Sequence, residues 1–335
     1  MGEHSMIDTG VQKRNPFPGI RPFTSAEDKY FFGRDGVISD VLDLMNAYRF
    51  VALSGASGSG KTSLIQSGII PALLTREKQE WIPVSLKPGP RPMESLVRAF
   101  QKVFPKKLTE PDVQAFLTGS QDLGELIQEK GLGSHSYYLV VDQFEELFRC
   151  GPGGRRSPRD PDIRRFVDLL VKATKAEHPG IYVMLSIRSD FIESCASFRG
   201  LADLMNKSKY MLPLMAKEAL SEAIAGPVIQ AGVRLEPGFT DYILEELEEV
   251  EFPLPVMQHA MMKTWDHWSE QGETDQPLSI NDYQSVGPAR TVINKHLDRI
   301  YDSLSKEQKQ IAERLFKSIT AKSEQSNGYG KQAAL

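Results

Sequence analysis

Residues 54–65, SGASGSGKTSLI, set glycines at 55, 58 and 60 directly ahead of a lysine and two hydroxyl residues, with apolar sequence on either side. The spacing G-x-x-x-x-G-K-[ST] is filled by Gly55, Gly60, Lys61 and Thr62. Glycines let the backbone curl until successive N–H groups converge on one anion, and a helix starting there adds partial positive charge. The pattern is short, and residue frequencies give on the order of one accidental match per hundred chains of this length. Context removes most such accidents, because the loop must join a buried strand to a helix. Here FVALS precedes it and TSLIQSGIIPALL comes after.

A loop of this kind wraps nucleotide phosphates with Gly55, Ala56, Ser57, Gly58, Ser59, Gly60, Lys61, Thr62 and Ser63. Lys61 is expected to bridge the β- and γ-phosphates, and Thr62 to supply an oxygen to Mg²⁺. The metal needs a second carboxylate at the end of a neighbouring buried strand. YYLVVDQFEELF supplies one: five apolar residues run into Asp142, whose charge is costly to bury without a cation or a partner. A cap for the next helix is the alternative account of the same aspartate. Glu145 and Glu146 come within a turn, and either could activate a water; a solvated acid pair at a helix start explains them equally. Gln143 stands where many related ATPases place the hydrolytic glutamate. The strand IYVMLSIRSD ends in Arg188, which either meets the γ-phosphate region or pairs with Asp190 or Glu193.

Strands are expected at 49–55, 81–86, 137–144 and 181–189, with a weaker one at 209–214. Helical patterns lie between them at 92–104, 110–130 and 161–176. That alternation implies a parallel sheet with right-handed crossovers and helices on both faces. From about 216 the strand signal vanishes, and the chain reads as helices broken at Gly226-Pro227, Glu236-Pro237-Gly238, Phe252-Pro253 and Gly287-Pro288. Met257, Met261, Met262, Trp265 and Trp268 read as the core face of one of them. At 335 residues the chain is long enough for two or three domains.

Composition excludes more than it indicates. A formal charge of −4 spread along the chain announces no nucleic-acid partner, and the cluster Arg155, Arg156, Arg159, Arg164 and Arg165 is most simply a solvated face. No apolar run approaches the roughly 20 residues that cross a bilayer, and the first thirty residues contain no signal-peptide core, so the cytoplasm is expected. Cys150 and Cys195 lack disulfide or zinc spacing, and the six histidines are scattered.

The order of motifs resembles the STAND class of P-loop ATPases, relatives of AAA+ proteins, and more closely its novel STAND branch, over about residues 15–325. The leader NPFPGIRPFTSAEDKYFFGRD, the phosphate loop, LVVDQFEELF and the strand-end Arg188 carry the resemblance. It implies a P-loop NTPase parallel sheet covered by helices, followed by a small all-helical domain and the start of a winged-helix domain. The boundaries are a disordered leader at 1–14, a family leader segment at 15–35, the ATPase domain at 36–215, helical residues 216–287 and an incomplete winged helix at 288–335. It further implies that Phe32, Gly33 and Arg34 lie against the adenine. Pro253 and Pro255 stand where the class has a Gly-x-Pro contact to the nucleotide, with Glu251 and Phe252 in place of the usual glycine.

The function so implied is an ATP/ADP switch with slow, Mg²⁺-dependent hydrolysis that controls self-association in bacterial signalling or antiviral defence. Sensor and effector modules are expected outside this chain. The rival is an AAA+-like motor or nucleic-acid loader with continuous turnover, although no pore-loop signature appears. A small-molecule kinase would need acceptor arginines in a lid, and GTP would need an N-K-x-D element after the fourth strand.

Overall fold

The computed structural model describes residues 14–75, 80–104, 108–118, 123–131, 135–149, 156–175, 180–248, 250, 252–272 and 275–320. The leader expected to be disordered lies almost wholly outside these residues, as do Cys150, Arg155 and Glu251.

Among the described residues, five strands form one parallel sheet: β1 Phe50–Gly55, β2 Trp81–Leu86, β3 Ser136–Val141, β4 Ile181–Arg188 and β5 Lys209–Met211. Their order is β2-β3-β4-β1-β5, so β4 lies between the strand that feeds the phosphate loop and the strand that ends at Asp142. Gly55 is in register with Arg188, and Val141 with Leu185, which brings all three strand ends to one edge. β1 and β3 are buried along their whole length because helices cover both faces. Alternate residues divide between two cores: Phe50, Ala52, Leu139 and Val141 face one, and Val51, Leu53, Tyr138 and Val140 face the other. Pro83 is tolerated in β2 because that strand is at the sheet edge.

Helix α1, Asp35–Tyr48, ends on Arg49 in the left-handed conformation, φ 52°, which turns the chain straight into β1. After the phosphate loop, α2 begins as Lys61–Ser63, passes through a π-helical stretch at Leu64–Ile69 and closes as Ile70–Leu74. The other face of the sheet carries α3 Pro92–Val103, α4 Glu110–Thr118, α5 Leu123–Glu129, α6 Pro161–Ala173 and α7 Arg199–Lys207. The helical pattern read over 110–130 is carried by α4 and α5. The strand expected over 137–144 stops at Val141, where the chain leaves the sheet so that residues 142–145 can turn back over its edge.

A separate core belongs to α8 Lys217–Gln230, α9 Phe239–Leu247, α10 Pro253–Glu270 and α11 Ile280–Val286. Met257, Met261, Trp265 and Trp268 of α10 are fully buried in it, and Phe17 of the leader joins them. Residues 288–320 form two further helices, α12 Ala289–Ser303 and α13 Lys306–Thr320.

Candidate functional site

Gly58 and Gly60 adopt φ of 77° and 87°, conformations that β-carbon sterics disfavour, and these turns carry the loop from β1 into α2. The Lys61 ammonium folds back onto the loop and donates to the carbonyl oxygens of Gly55, 2.9 Å, and Ala56, 2.8 Å. Burial pushes its pKa down, while the charges of Glu145 and Asp142 pull it back up. Thr62 Oγ1 donates to Asp142 Oδ2 at 2.9 Å. Asp142 is only 5% exposed, and its other carboxylate oxygen is buried with no hydrogen-bond partner among the described residues. A buried, unpartnered carboxylate oxygen beside a threonine hydroxyl, one step from a lysine, suits a hard divalent cation with oxygen ligands. Thr62 and Asp142 thus fit the Mg²⁺ expected of them.

After Asp142 the backbone takes a second non-glycine left-handed step at Gln143, φ 56°. The step sends Phe144 into the core, with its N–H on the Ser186 carbonyl at 2.8 Å, and turns Glu145 toward the site. Glu145 is 5% exposed, and its carboxylate accepts the Arg188 backbone N–H at 3.2 Å. Desolvation raises its pKa, against the opposing pull of Arg188 N–H and Lys61. Glu146 begins the helical turn Glu146–Arg149, half-buried and off the cavity wall. The Arg188 guanidinium pairs with Asp190 at 3.0 and 2.9 Å and lies over the Phe191 ring. It lines the cavity as well.

These groups border one cavity of about 310 Å³ whose wall includes Ser57–Ser63, Glu145 and Arg188 at one end. Its opposite end is closed by the leader, by α8 and by the start of α10. Pro255 lines it and packs on the loop, where a β-carbon on Gly58 would stand 3.2 Å from its ring; Pro253 opens α10 behind it. Phe32 lines the cavity and is pressed against Gly226 of α8. Gly33 takes φ 81°, and a β-carbon there would meet the Ala219 carbonyl at 2.3 Å. Arg34 is buried and donates to the carbonyls of Pro213, 3.1 Å, and Ser59, 3.4 Å, tying the loop to the exit of β5.

The leader spans both units. Asn15 bonds Met262 and Asp266 of α10 at 2.9 and 2.8 Å, while the Phe23 N–H reaches Ser63 Oγ of α2 at 3.2 Å. Between these anchors Arg21 forms a forked pair with Glu27 at 2.8 and 2.6 Å, and that pair with Thr24 holds the Glu27 carboxyl down at about 2. Lys87, Ser186, Met215 and Gln258 also line the cavity and were not foreseen. Lys87 directly succeeds β2 and Ser186 lies in β4, so strand-end position was a usable signal for the first. The local sequence around Gln258 offers none.

A parallel sheet in this order, a glycine loop between β1 and its helix, and a carboxylate on the strand two places away define a P-loop NTPase of the AAA+-like kind. Solved structures with this fold include the Aeropyrum pernix ORC2 protein in ADPNP-ADP complexes, TM-score 0.52 at 12% identity over 81% of this chain and 69% of that one. Drosophila ORC bound to DNA gives 0.52 at 12% over 96% and 75%. The Aeropyrum pernix ORC1 protein in complex with DNA gives 0.51 at 15% over 89% and 74%. None of the curated proteins matches the chain. Residues 16–334 match the family described as Novel STAND NTPase 1, and the chain belongs to that family. Family membership and the loop together support nucleotide binding.

Proposed function

We propose that this chain is an ATP/ADP switch of a cytoplasmic bacterial signal-transduction or antiviral-defence protein, hydrolysing ATP slowly and controlling self-association by the nucleotide it holds. The observation that carries the proposal is the cavity shared by the phosphate loop, the leader and α10. A γ-phosphate entering it meets groups of the sheet edge while the base end touches the helical unit, so the two nucleotides can favour different arrangements of the two units.

Lys61 gives up two carbonyl contacts to hold the β- and γ-phosphates. Thr62 and Asp142 would hold Mg²⁺, which would supply positive charge to offset that of the phosphates. Glu145, buried and raised in pKa, takes the proton of an attacking water, a role for which Glu146 is turned the wrong way. Arg188, steadied by Asp190, offers its guanidinium to the developing charge. Phe32, Arg34 and Pro255 close the cavity and shape its base end. Moving a population from 1:99 to 99:1 takes about 5.5 kcal/mol of differential binding, more than one such contact supplies, so contacts between copies share in it.

Two of the cluster's arginines are engaged within the chain, which favours a switch over a nucleic-acid loader. Arg156 is spent on Asp160 and the Pro90 carbonyl, and Arg165 on the carbonyls of Phe116 and Leu117. The test is to denature the purified chain, identify the released nucleotide, and compare particle mass in ADP and in a non-hydrolysable ATP analogue. Retained ADP and a larger particle with the analogue are expected. Absence of retained nucleotide together with brisk turnover stimulated by DNA would overturn the switch.

A further inference from the structure

Within α10, Pro255, Gln258 and Met262 recur at i, i+3 and i+7 and so share one face of the helix. Pro255 meets the phosphate loop at Gly58, and Met262 lies so close under the leader that a β-carbon on Gly19 would stand 2.5 Å from its sulfur. Gln258 lies between these two contacts and borders the cavity beside Met215, Ala223 and Leu254. Those three are apolar and present a surface suited to the face of a ring. The Gln258 amide oxygen is shielded from solvent and has no hydrogen-bond partner among the described residues. A buried acceptor without a donor is costly, and in a residue that borders the cavity it calls for a donor from whatever enters.

We infer that Gln258 reads the base: its amide oxygen accepts a hydrogen bond from the exocyclic amine of adenine, and its amide NH₂ donates to the neighbouring ring nitrogen. The inference rests on the nucleotide reading above and deepens it from a phosphate site to a purine-specific one. Guanine carries a carbonyl oxygen where adenine carries the amine, so it sets two acceptors face to face unless the amide turns over. A glutamate in the same place cannot turn over, because both of its oxygens accept. That distinction separates a side chain that reads the amine from one that merely fills space.

The test measures affinities of the full chain, with Mg²⁺ present, for ADP, GDP and purine riboside 5′-diphosphate, which lacks the amine. The parent, Gln258→Leu and Gln258→Glu are compared, each checked for parental thermal unfolding without nucleotide. The parent is expected to favour ADP over either analogue by about tenfold or more. In Gln258→Leu the three affinities converge to within about twofold, whereas Gln258→Glu, weaker throughout because of its charge, keeps the preference for ADP over the purine riboside diphosphate. A Gln258→Leu variant with parental ratios overturns the inference, as does a parent that binds all three alike. If these diphosphates bind and depend on Lys61 but not on Gln258, base reading fails and the phosphate site stands. If the parent binds none of them, the nucleotide reading fails and takes this one with it.

Discussion

At its phosphate end the cavity is built from one unbroken run, Ser57–Ser63, joined by the ends of two adjoining strands; at its base end the wall is drawn from around residues 20, 32, 215 and 258. The first is held by hydrogen bonds of short sequence reach, such as Lys61 to Gly55 and Ala56. The second exists only while the leader and α10 stay docked on the sheet domain, through contacts such as the Phe23 N–H to Ser63 Oγ and Pro255 against Gly58. The phosphate end should therefore survive loosening of the two units, and the base end should not. That asymmetry suits a switch, because affinity resides in the fixed part and information in the assembled part.

The largest expected effect falls at the fixed end. Replacing Glu145 by glutamine should lower ATP turnover by about 10²- to 10⁴-fold with ADP affinity kept, while Glu146→Gln changes turnover little; single-turnover hydrolysis assays separate the two. Because burial raises the Glu145 pKa, the active, ionised form should be lost on acidification at a higher pH than an ordinary glutamate would give. Turnover should thus climb with pH through that raised value, and the climb should vanish in Glu145→Gln. Lys61→Ala should weaken ADP binding by about ten- to a hundred-fold, the worth of charge-assisted contacts to phosphate, without altering the circular dichroism spectrum. A variant with parental affinity would remove the fixed end from the comparison.

At the assembled end, Gly226→Ala tests the docking. Its β-carbon would enter the Phe32 ring at 2.4 Å, so the ring or α8 must move at a cost of about 1–3 kcal/mol. Alanine's helix preference returns about 1 kcal/mol within α8 itself. The net result should be a faster release of bound ADP, read by stopped-flow fluorescence, with the sheet domain's unfolding unchanged. Unchanged release would show that the units are coupled elsewhere.

The smallest effect is expected from pH acting on the leader. Glu27, held at about 2 by Arg21 and Thr24, has a folded pKa below the ordinary 4.5, so its contribution is present above that value and is lost as pH falls from there toward 2. Arg21 is 52% exposed, so solvent screens the pair and the loss should be modest. Amide hydrogen exchange across residues 15–31 should quicken over that window in the parent and show no such window in Glu27→Gln. Equal behaviour of the two would take the pair out of the clasp.

Much of this was legible because it depends on short-range pattern. The apolar runs around Leu53, Val140 and Leu185 announced buried strands, and the glycine spacing with Lys61 announced the anion loop. What escaped depended on direction. Sequence left Glu145 and Glu146 equivalent, and one backbone step at Gln143 separates them by sending the first to the cavity. Arg188 was left between a site role and a pair with Asp190, and it borders the cavity while making the pair.

The sequence by itself determined the elements and the phosphate chemistry, because glycine φ freedom, apolar periodicity and a carboxylate at a strand end are properties of neighbours along the chain. Only the tertiary structure decided which glutamate faces the cavity, and that Gln258, far along the chain from Lys61, stands on the same wall. Docking between distant segments depends on matched shapes such as Gly226 against Phe32 and Gly58 against Pro255, and no local pattern encodes a shape whose other half lies elsewhere in the chain.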